Sequence, residues 1–339
     1  MLDDSLLQKA SESVMDNDVA ISSRMRLARN FADLPFPGFM DMEQAQESVR
    51  RCVSALSDTL TPYALDKLPP LKRMILVEKH LISRDLLKTP ERSAAMISSD
   101  EKLSVMINEE DHLRIQSFAP AFELDLAFAK AFEADTRLQE KMNFAYDTDL
   151  GFLTACPTNT GTGMRASVML HLPALTWSGE ISKVTQAVSK LGLTIRGLYG
   201  EGTEAQGDLY QLSNQVTLGR TEEEILSDVK TAASQMVEWE RRIRAALHAG
   251  DKINLEDRML RALGVLERAR KITSKEFMQK WSAVRFASCM RVIPHNISVI
   301  DDLLVSAQPA SLQSQASETL SDEQRDIRRA ELVQSRLKV

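Results

Sequence analysis

From Thr221 onward the 339-residue chain reads as one helix after another, and before that point it does not. Thr221-Glu222-Glu223-Glu224 is a capping box, in which an N-cap hydroxyl and a glutamate three residues on satisfy each other's free amides. Behind it Ile225, Val229, Ala232, Met236, Trp239 and Ile243 recur at spacings of three and four, the apolar stripe of a helix that Gly250 can end. Further helices fit residues 255–270, a stretch opened by Thr273 and Glu276 that runs toward Met290, and a last one opened by Ser321 and Gln324 that runs nearly to Val339. The polar, serine-rich residues 306–321 read as a linker. Upstream, short β-like runs at 20–27, 72–78, 102–108, 113–118, 152–155, 165–172 and 193–196 alternate with glycine- and proline-marked loops, and helical patterns occupy 42–60 and 180–191. Strands and helices do not alternate as βαβ units. The expectation is therefore an α+β domain over residues 1–248, a mixed or antiparallel sheet with helices, followed by an all-helical C-terminal domain over 249–339.

Composition narrows the function. Lys plus Arg is 42 against 48 Asp plus Glu, a net charge of −6, so no broad basic surface for nucleic acid is expected and any anion site must gather its cations locally. No apolar run is long enough for a membrane span, and the N-terminus has no basic-then-apolar leader pattern. Three widely spaced cysteines, Cys52, Cys156 and Cys289, suit a reducing compartment and form no zinc pattern. A cytoplasmic protein without a resident metal is expected.

Four segments carry candidate chemistry. In Ser22-Ser23-Arg24-Met25-Arg26 a strand would project Arg24 and Arg26 from one face, as two forks for phosphate oxygens or as ordinary solvated arginines. Asn108-Glu109-Glu110-Asp111-His112-Leu113-Arg114 interrupts an apolar strand with three acids, either a solvated turn or a carboxylate that takes a proton or grips a cation. Cys156-Pro157-Thr158-Asn159-Thr160-Gly161-Thr162-Gly163-Met164-Arg165 lacks the Gly-Lys-Ser/Thr of a Walker loop, but its glycines could let backbone amides approach an anion. Arg196-Gly197-Leu198-Tyr199-Gly200-Glu201-Gly202 has the composition of a loop that closes over a substrate.

In this order and spacing the four segments resemble the catalytic domain of the phosphagen (guanidino) kinases, over roughly residues 19–247, and most closely their protein-arginine kinase branch. The resemblance implies phosphoryl transfer from ATP, with Mg2+, to a guanidinium nitrogen. It implies nucleotide contacts from Arg24, Arg26, Arg114, Arg165 and Arg196, set in the segments Ser22, Ser23 and Met25, then Ala166, Ser167, Val168 and Met169, then Gly197, Leu198, Tyr199, Gly200 and Glu201, with His80 near the adenine. Glu110 and Glu201 would hold the acceptor guanidinium, one of them as base, with Cys156 beside it.

Small-molecule members carry a helical domain before the Ser-Ser-Arg strand, a Thr-Arg version of the last loop, and often His where Met169 stands; this sequence departs on each point, which favours an arginine borne on a protein. Arg325-Asp326-Ile327-Arg328-Arg329-Ala330 resembles the allosteric phosphoarginine-binding motif of the protein-arginine branch, with Arg325, Arg328 and Arg329 on one helical face and Asp326 able to grip a guanidinium. The branch also implies a homodimer, a zinc-binding activator protein, a Clp-type ATPase or protease that takes the marked proteins, and a heat-shock repressor as client. A kinase for a small guanidino compound and a catalytically silent phosphoarginine reader are the competing readings.

Overall fold

The alternation Arg24-Met25-Arg26-Leu27 asks for a strand with one polar and one apolar face. In the computed structural model, which describes residues 16–197 and 205–338, β1 (Ala20–Arg29) is that strand, with Met25 and Leu27 fully buried. After it come α1 (Met42–Leu56), β2 (Thr61–Ala64), α2 (Pro70–Glu78), β3 (Ala94–Ile97), β4 (Leu103–Ile107), β5 (Leu113–Pro120), α3 (Leu124–Gln139), the small hairpin β6 (Tyr146–Asp147) and β7 (Gly151–Phe152), β8 (Met164–His171), α4 (Pro173–Trp177), α5 (Ile181–Ser189), β9 (Leu193–Gly197) and β10 (Leu209–Asn214). The helical half consists of α6 (Glu222–Gly250), α7 (Lys252–Arg268), α8 (Ser274–Cys289), α9 (Ile297–Ser306), α10 (Pro309–Gln313) and α11 (Asp322–Leu337). Eight strands form one sheet in the order β2-β3-β4-β5-β1-β8-β10-β9, and every neighbouring pair is antiparallel.

The apolar face of the sheet is the main core. Met25, Leu27, Ile115, Ala166, Val168, Leu170 and Leu212 are fully buried there. α3 lays Ala127, Ala131 and Ala134 against β1 and β5, and these small side chains let helix and sheet approach closely. A second core joins Met259 and Leu266 of α7, Phe277, Trp281 and Phe286 of α8 and Val333 of α11 to Ala174 and Leu209 at the end of the sheet. The buried Arg285 fastens the two halves: its guanidinium pairs with Asp301 (2.6 Å) and donates to the carbonyls of Asn17 (2.8 Å) and Asp18 (3.0 Å).

Capping boxes close at Thr221/Glu224 and Ser321/Gln324, and Thr273 caps α8 by accepting from the Glu276 amide. Several expectations need correction. Residues 72–78 are helical, because Pro70 starts α2 at its first position and the short apolar run fits either period. Residues 152–155 contribute only the end of the hairpin strand β7. The serine-rich stretch 306–321 is no free linker: it contains α10, whose first amides at Ala310 and Ser311 donate to the Glu78 carboxylate (2.6 and 2.8 Å).

Candidate functional site

Strand register assembles the site on the polar face of the sheet. Arg24 stands opposite Ser167 and Arg26 opposite Arg165 across β1 and β8, while Arg114 on β5 pairs with Ala28. Gln211 on β10 lies opposite Met169 on one side and Arg196 on the other. Arginines from β1, β5, β8 and β9, distant in sequence, thus share one surface. Ser22 stands opposite Met169 at the edge of this face.

The cations are crowded and partly without partners. The Nε–H groups of Arg26 and Arg165 are buried and find no hydrogen-bond acceptor among the described residues. Desolvation, then Arg114 and Arg165, lowers the Arg24 pKa to about 10; desolvation, then Arg24, Arg114 and Arg165, pushes that of Arg26 well down. Arg165 is lowered by desolvation, Arg196 and Arg114, against the opposing pull of Cys156 and Glu110. Guanidinium does not give up its proton in proteins, so these shifts record the cost of burying cations and, after it, their mutual repulsion, both of which a bound anion would offset. Triphosphate oxygens suit that need, since each accepts the guanidinium fork. Arg24 is steadied by Gln211, whose Oε1 accepts at 2.9 Å.

The acidic turn divides its work. Glu109, almost fully buried, pairs with Arg114 (2.6 Å) and accepts from Ser83. Glu110 is more exposed, lies 3.7 Å from Arg114, and has its pKa raised by desolvation and by Asp111. Asp111 is buried and accepts at one oxygen from Asn30 Nδ2 (2.7 Å) and from the Ala155 amide (2.7 Å), which ties the Cys156 loop to the Glu110 turn. Asn30 in turn accepts from the His112 amide (2.9 Å). Asp111 and Asn30 were not singled out from the sequence; the only signal was their polarity beside apolar strands. The half-buried Cys156 thiol lies 3.0 Å from Thr158 Oγ1.

The glycine-rich loop serves packing rather than presenting its amides to an anion. A Cβ at Gly161 would come within 2.4 Å of the Thr217 carbonyl, one at Gly163 within 2.6 Å of the Ala28 carbonyl, and the Gly161 amide is spent on Phe152 (3.2 Å). The buried Arg29 holds this loop by bonding Thr162 O (2.9 Å) while pairing bidentately with Asp135 (3.0 and 2.9 Å). Other expected contacts are turned away. Ser23, which bonds Ala121 O, and Met25, Ala166 and Val168 face the opposite side of the sheet, as strand alternation requires. Ser167 is buried on the polar face and Met169 packs toward the C-terminal core. His80 occupies a turn at φ 59°, its pKa pushed down to about 4 by desolvation and by Arg24. Gly197 ends β9 with Ala205 against it, and Leu198, Tyr199, Gly200 and Glu201 lie outside the described residues.

At the C-terminus the structure gives the three arginines separate partners. Arg325 bonds the Leu320 carbonyl (2.9 Å) and Asp322; Arg328 is exposed and pairs with Glu331 (3.0 Å). Arg329 is buried and donates to the Ala307 and Ile272 carbonyls (2.9 and 2.8 Å) and to Asp326 (2.6 Å), beside the buried Ala330. No helix among the described residues is long and apolar enough to cross a membrane.

Comparison with known proteins matches the same layout. Residues 41–243 fit the family model of the ATP:guanido phosphotransferase C-terminal catalytic domain, and residues 252–339 that of the protein-arginine kinase McsB C-terminal domain. The chain is 45% identical over 329 residues to a protein-arginine kinase of Caldanaerobacter subterraneus subsp. tengcongensis, covering 95% of this chain and 98% of the relative. It is 45% identical over 334 residues to one of Brevibacillus brevis, covering 96% and 93%. Among solved structures, lombricine kinase superposes with a TM-score of 0.62 at 25% identity, over 70% of this chain and 71% of that one. A duplicated taurocyamine kinase from Schistosoma mansoni, with bound transition-state analogue components, gives 0.63 at 25% identity over 80% and 40%.

Proposed function

Because the chain belongs to the protein-arginine kinase family of ATP:guanido phosphotransferases, we propose that it moves the terminal phosphoryl group of ATP onto arginine side chains of proteins. The observation that carries the reading is the facing pair Arg26 and Arg165 with both Nε atoms buried and unpartnered, an unmet donor capacity that a bound oxyanion would satisfy. Arg24, Arg26, Arg114, Arg165 and Arg196 bind the phosphates and neutralise charge spread over the transferring group's oxygens, in place of a Walker lysine. Magnesium, accompanying the nucleotide, would neutralise further phosphate charge.

The acceptor is the harder partner. Free guanidinium has a pKa above ~12 and cannot attack while protonated. Glu110, accessible and raised in pKa, would orient it and take its proton as the P–N bond forms, and Glu201 would be the second carboxylate. Cys156, held beside the turn by Asp111, would polarise the same group. His80 would flank the adenine. Arg325, Asp326, Arg328, Arg329 and Ala330 would form the phosphoarginine-sensing element. A cytoplasmic homodimer, a zinc-binding activator, a Clp-type protease and a heat-shock repressor belong to this reading through the family.

The test is incubation with magnesium-ATP and an unfolded, arginine-containing protein, with free arginine in parallel. The reading requires protein-bound phosphate that is lost in acid and kept in alkali, as a P–N bond demands. Labelling of free arginine alone overturns the protein-substrate reading, and an acid-stable product overturns arginine as acceptor.

A further inference from the structure

Beyond the nucleotide face lies a cavity of about 1270 Å³ between α4, α7, α8 and the start of β10. One end is formed by residues 205–208, which lead out of the segment containing Glu201 and are seated on α8, where Gly207 (φ 67°) lies against Met278. Tyr210 lines the cavity, and the next residue, Gln211, holds Arg24 of the nucleotide site.

Its charge is unbalanced. Arg258, Lys275 and Lys280 line it, and none of them makes an ion pair or hydrogen bond among the described residues; Arg258 is instead stacked on the Trp177 ring at 3.5 Å. Asp208 is the one acidic residue among the described lining, and its carboxylate is already taken up by Ser282 Oγ (2.5 Å) and Trp177 Nε1 (3.2 Å). Among the described lining, three cations therefore face the space against the single carboxylate of Asp208, whose charge acts on Arg258.

We infer that this cavity binds acidic side chains of the protein substrate, on the stretch of chain flanking the target arginine. The inference rests on the reading of the chain as a protein-arginine kinase. The space exceeds the 300–1,000 Å³ usual for a small ligand, and it is half open, which suits an extended peptide. Indole and phenol rings give the peptide's apolar atoms a surface, and the cations select carboxylates along it. A substrate held here is tethered beside the residues that lead to Glu201, so its arginine is presented at raised effective concentration.

The experiment measures fluorescence anisotropy of a labelled, arginine-free Glu/Gly peptide and its Gln/Gly counterpart on the full chain, with transfer kinetics on arginine peptides flanked by either sequence. The wild type should bind the Glu peptide in a salt-sensitive manner and the Gln peptide weakly. The double variant Lys275→Gln/Lys280→Gln should lose affinity for the Glu peptide by about tenfold or more, since each lysine removed can take away a charge-assisted contact, and raise KM only for the acidic-flanked substrate. KM for ATP and turnover of the neutral-flanked substrate should stay as in the wild type. Equal binding of both peptides, an unaffected double variant, or displacement of the Glu peptide by inorganic phosphate as effectively as by unlabelled peptide overturns the inference. If acidic binding behaves as stated while no arginine is phosphorylated, the cavity assignment stands and the kinase reading falls.

Discussion

Arg26 and Arg165 face each other across the antiparallel pair β1–β8, two like charges in register with both Nε atoms buried and unpartnered. Like charges directly opposite on a sheet are destabilising, and burial adds a desolvation cost. On the proposed reading, a bound polyanion would offset that cost. Arg165→Met, similar in length and uncharged, should raise the melting temperature without nucleotide, abolish the further rise that ATP gives the wild type, and cut kcat/KM by about a hundredfold or more. Thermal unfolding with and without ATP decides this; a lowered melting temperature in the free variant would show that the guanidinium stabilises the sheet on its own.

Asp111 acts through others. It bonds the Ala155 amide and Asn30 with the same oxygen, so Asp111→Ala removes the tie between the Glu110 turn and the Cys156 loop and takes an acceptor from both the Ala155 amide and the buried Asn30. A stability loss of about 1–3 kcal/mol is expected. A merely structural effect would stop there. Positioning predicts in addition that kcat falls much more than ATP affinity changes at a temperature where the variant is folded, read from turnover beside nucleotide titration.

The alternation of Arg24, Met25, Arg26 and Leu27 was enough to place β1 with one wet face, and the capping residues Thr221 and Ser321 marked two helix starts correctly. What local pattern could not supply was strand register. Only the pairing of β1 with β8 sets Arg26 against Arg165, and only tertiary contact reveals that Glu109 is consumed by Arg114 while Glu110 is left accessible. The same limit explains α2 and α10. Residues 72–78 are too short a run for period alone to choose helix over strand, and the serine-rich 306–321 gains order from Glu78, more than two hundred residues upstream. Arg329 reads as one more basic position on an amphipathic helix, yet it is interior, because two carbonyls and Asp326 wait for its donors.

Asp208 gives a pH signature. Desolvation raises its pKa from 3.8 to about 6, with Ser282 and Trp177 opposing the rise. A carboxyl whose folded pKa lies above its unfolded one favours the fold fully only below the unfolded value, and that contribution is lost as pH climbs through the folded one. Denaturant unfolding of the wild type compared with Asp208→Asn should therefore show a difference that is flat below about pH 4, turns against the wild type between about pH 4 and 6, and is flat again above. A difference independent of pH over that window contradicts a raised Asp208.

The basic motif on α11 needs two variants to be read. Arg328 is exposed and its pair with Glu331 is a surface one, so Arg328→Ala should change unfolding free energy by no more than about 1 kcal/mol. Arg329 is buried with three acceptors, and Arg329→Ala strands the Ala307 and Ile272 carbonyls and Asp326, at a cost of about 3–5 kcal/mol. A loss of regulation by phosphoarginine in the Arg329 variant would follow from loosening of α11 whether or not the residue touches the ligand. Arg328→Ala is free of that ambiguity, and Arg325→Gln, which gives up the half-buried bond to the Leu320 carbonyl, lies between the two. Paired measurement of unfolding free energy and phosphoarginine response across all three separates the roles: a response that tracks stability alone marks the motif as scaffolding, and one lost in Arg328→Ala at full stability marks it as a binding face.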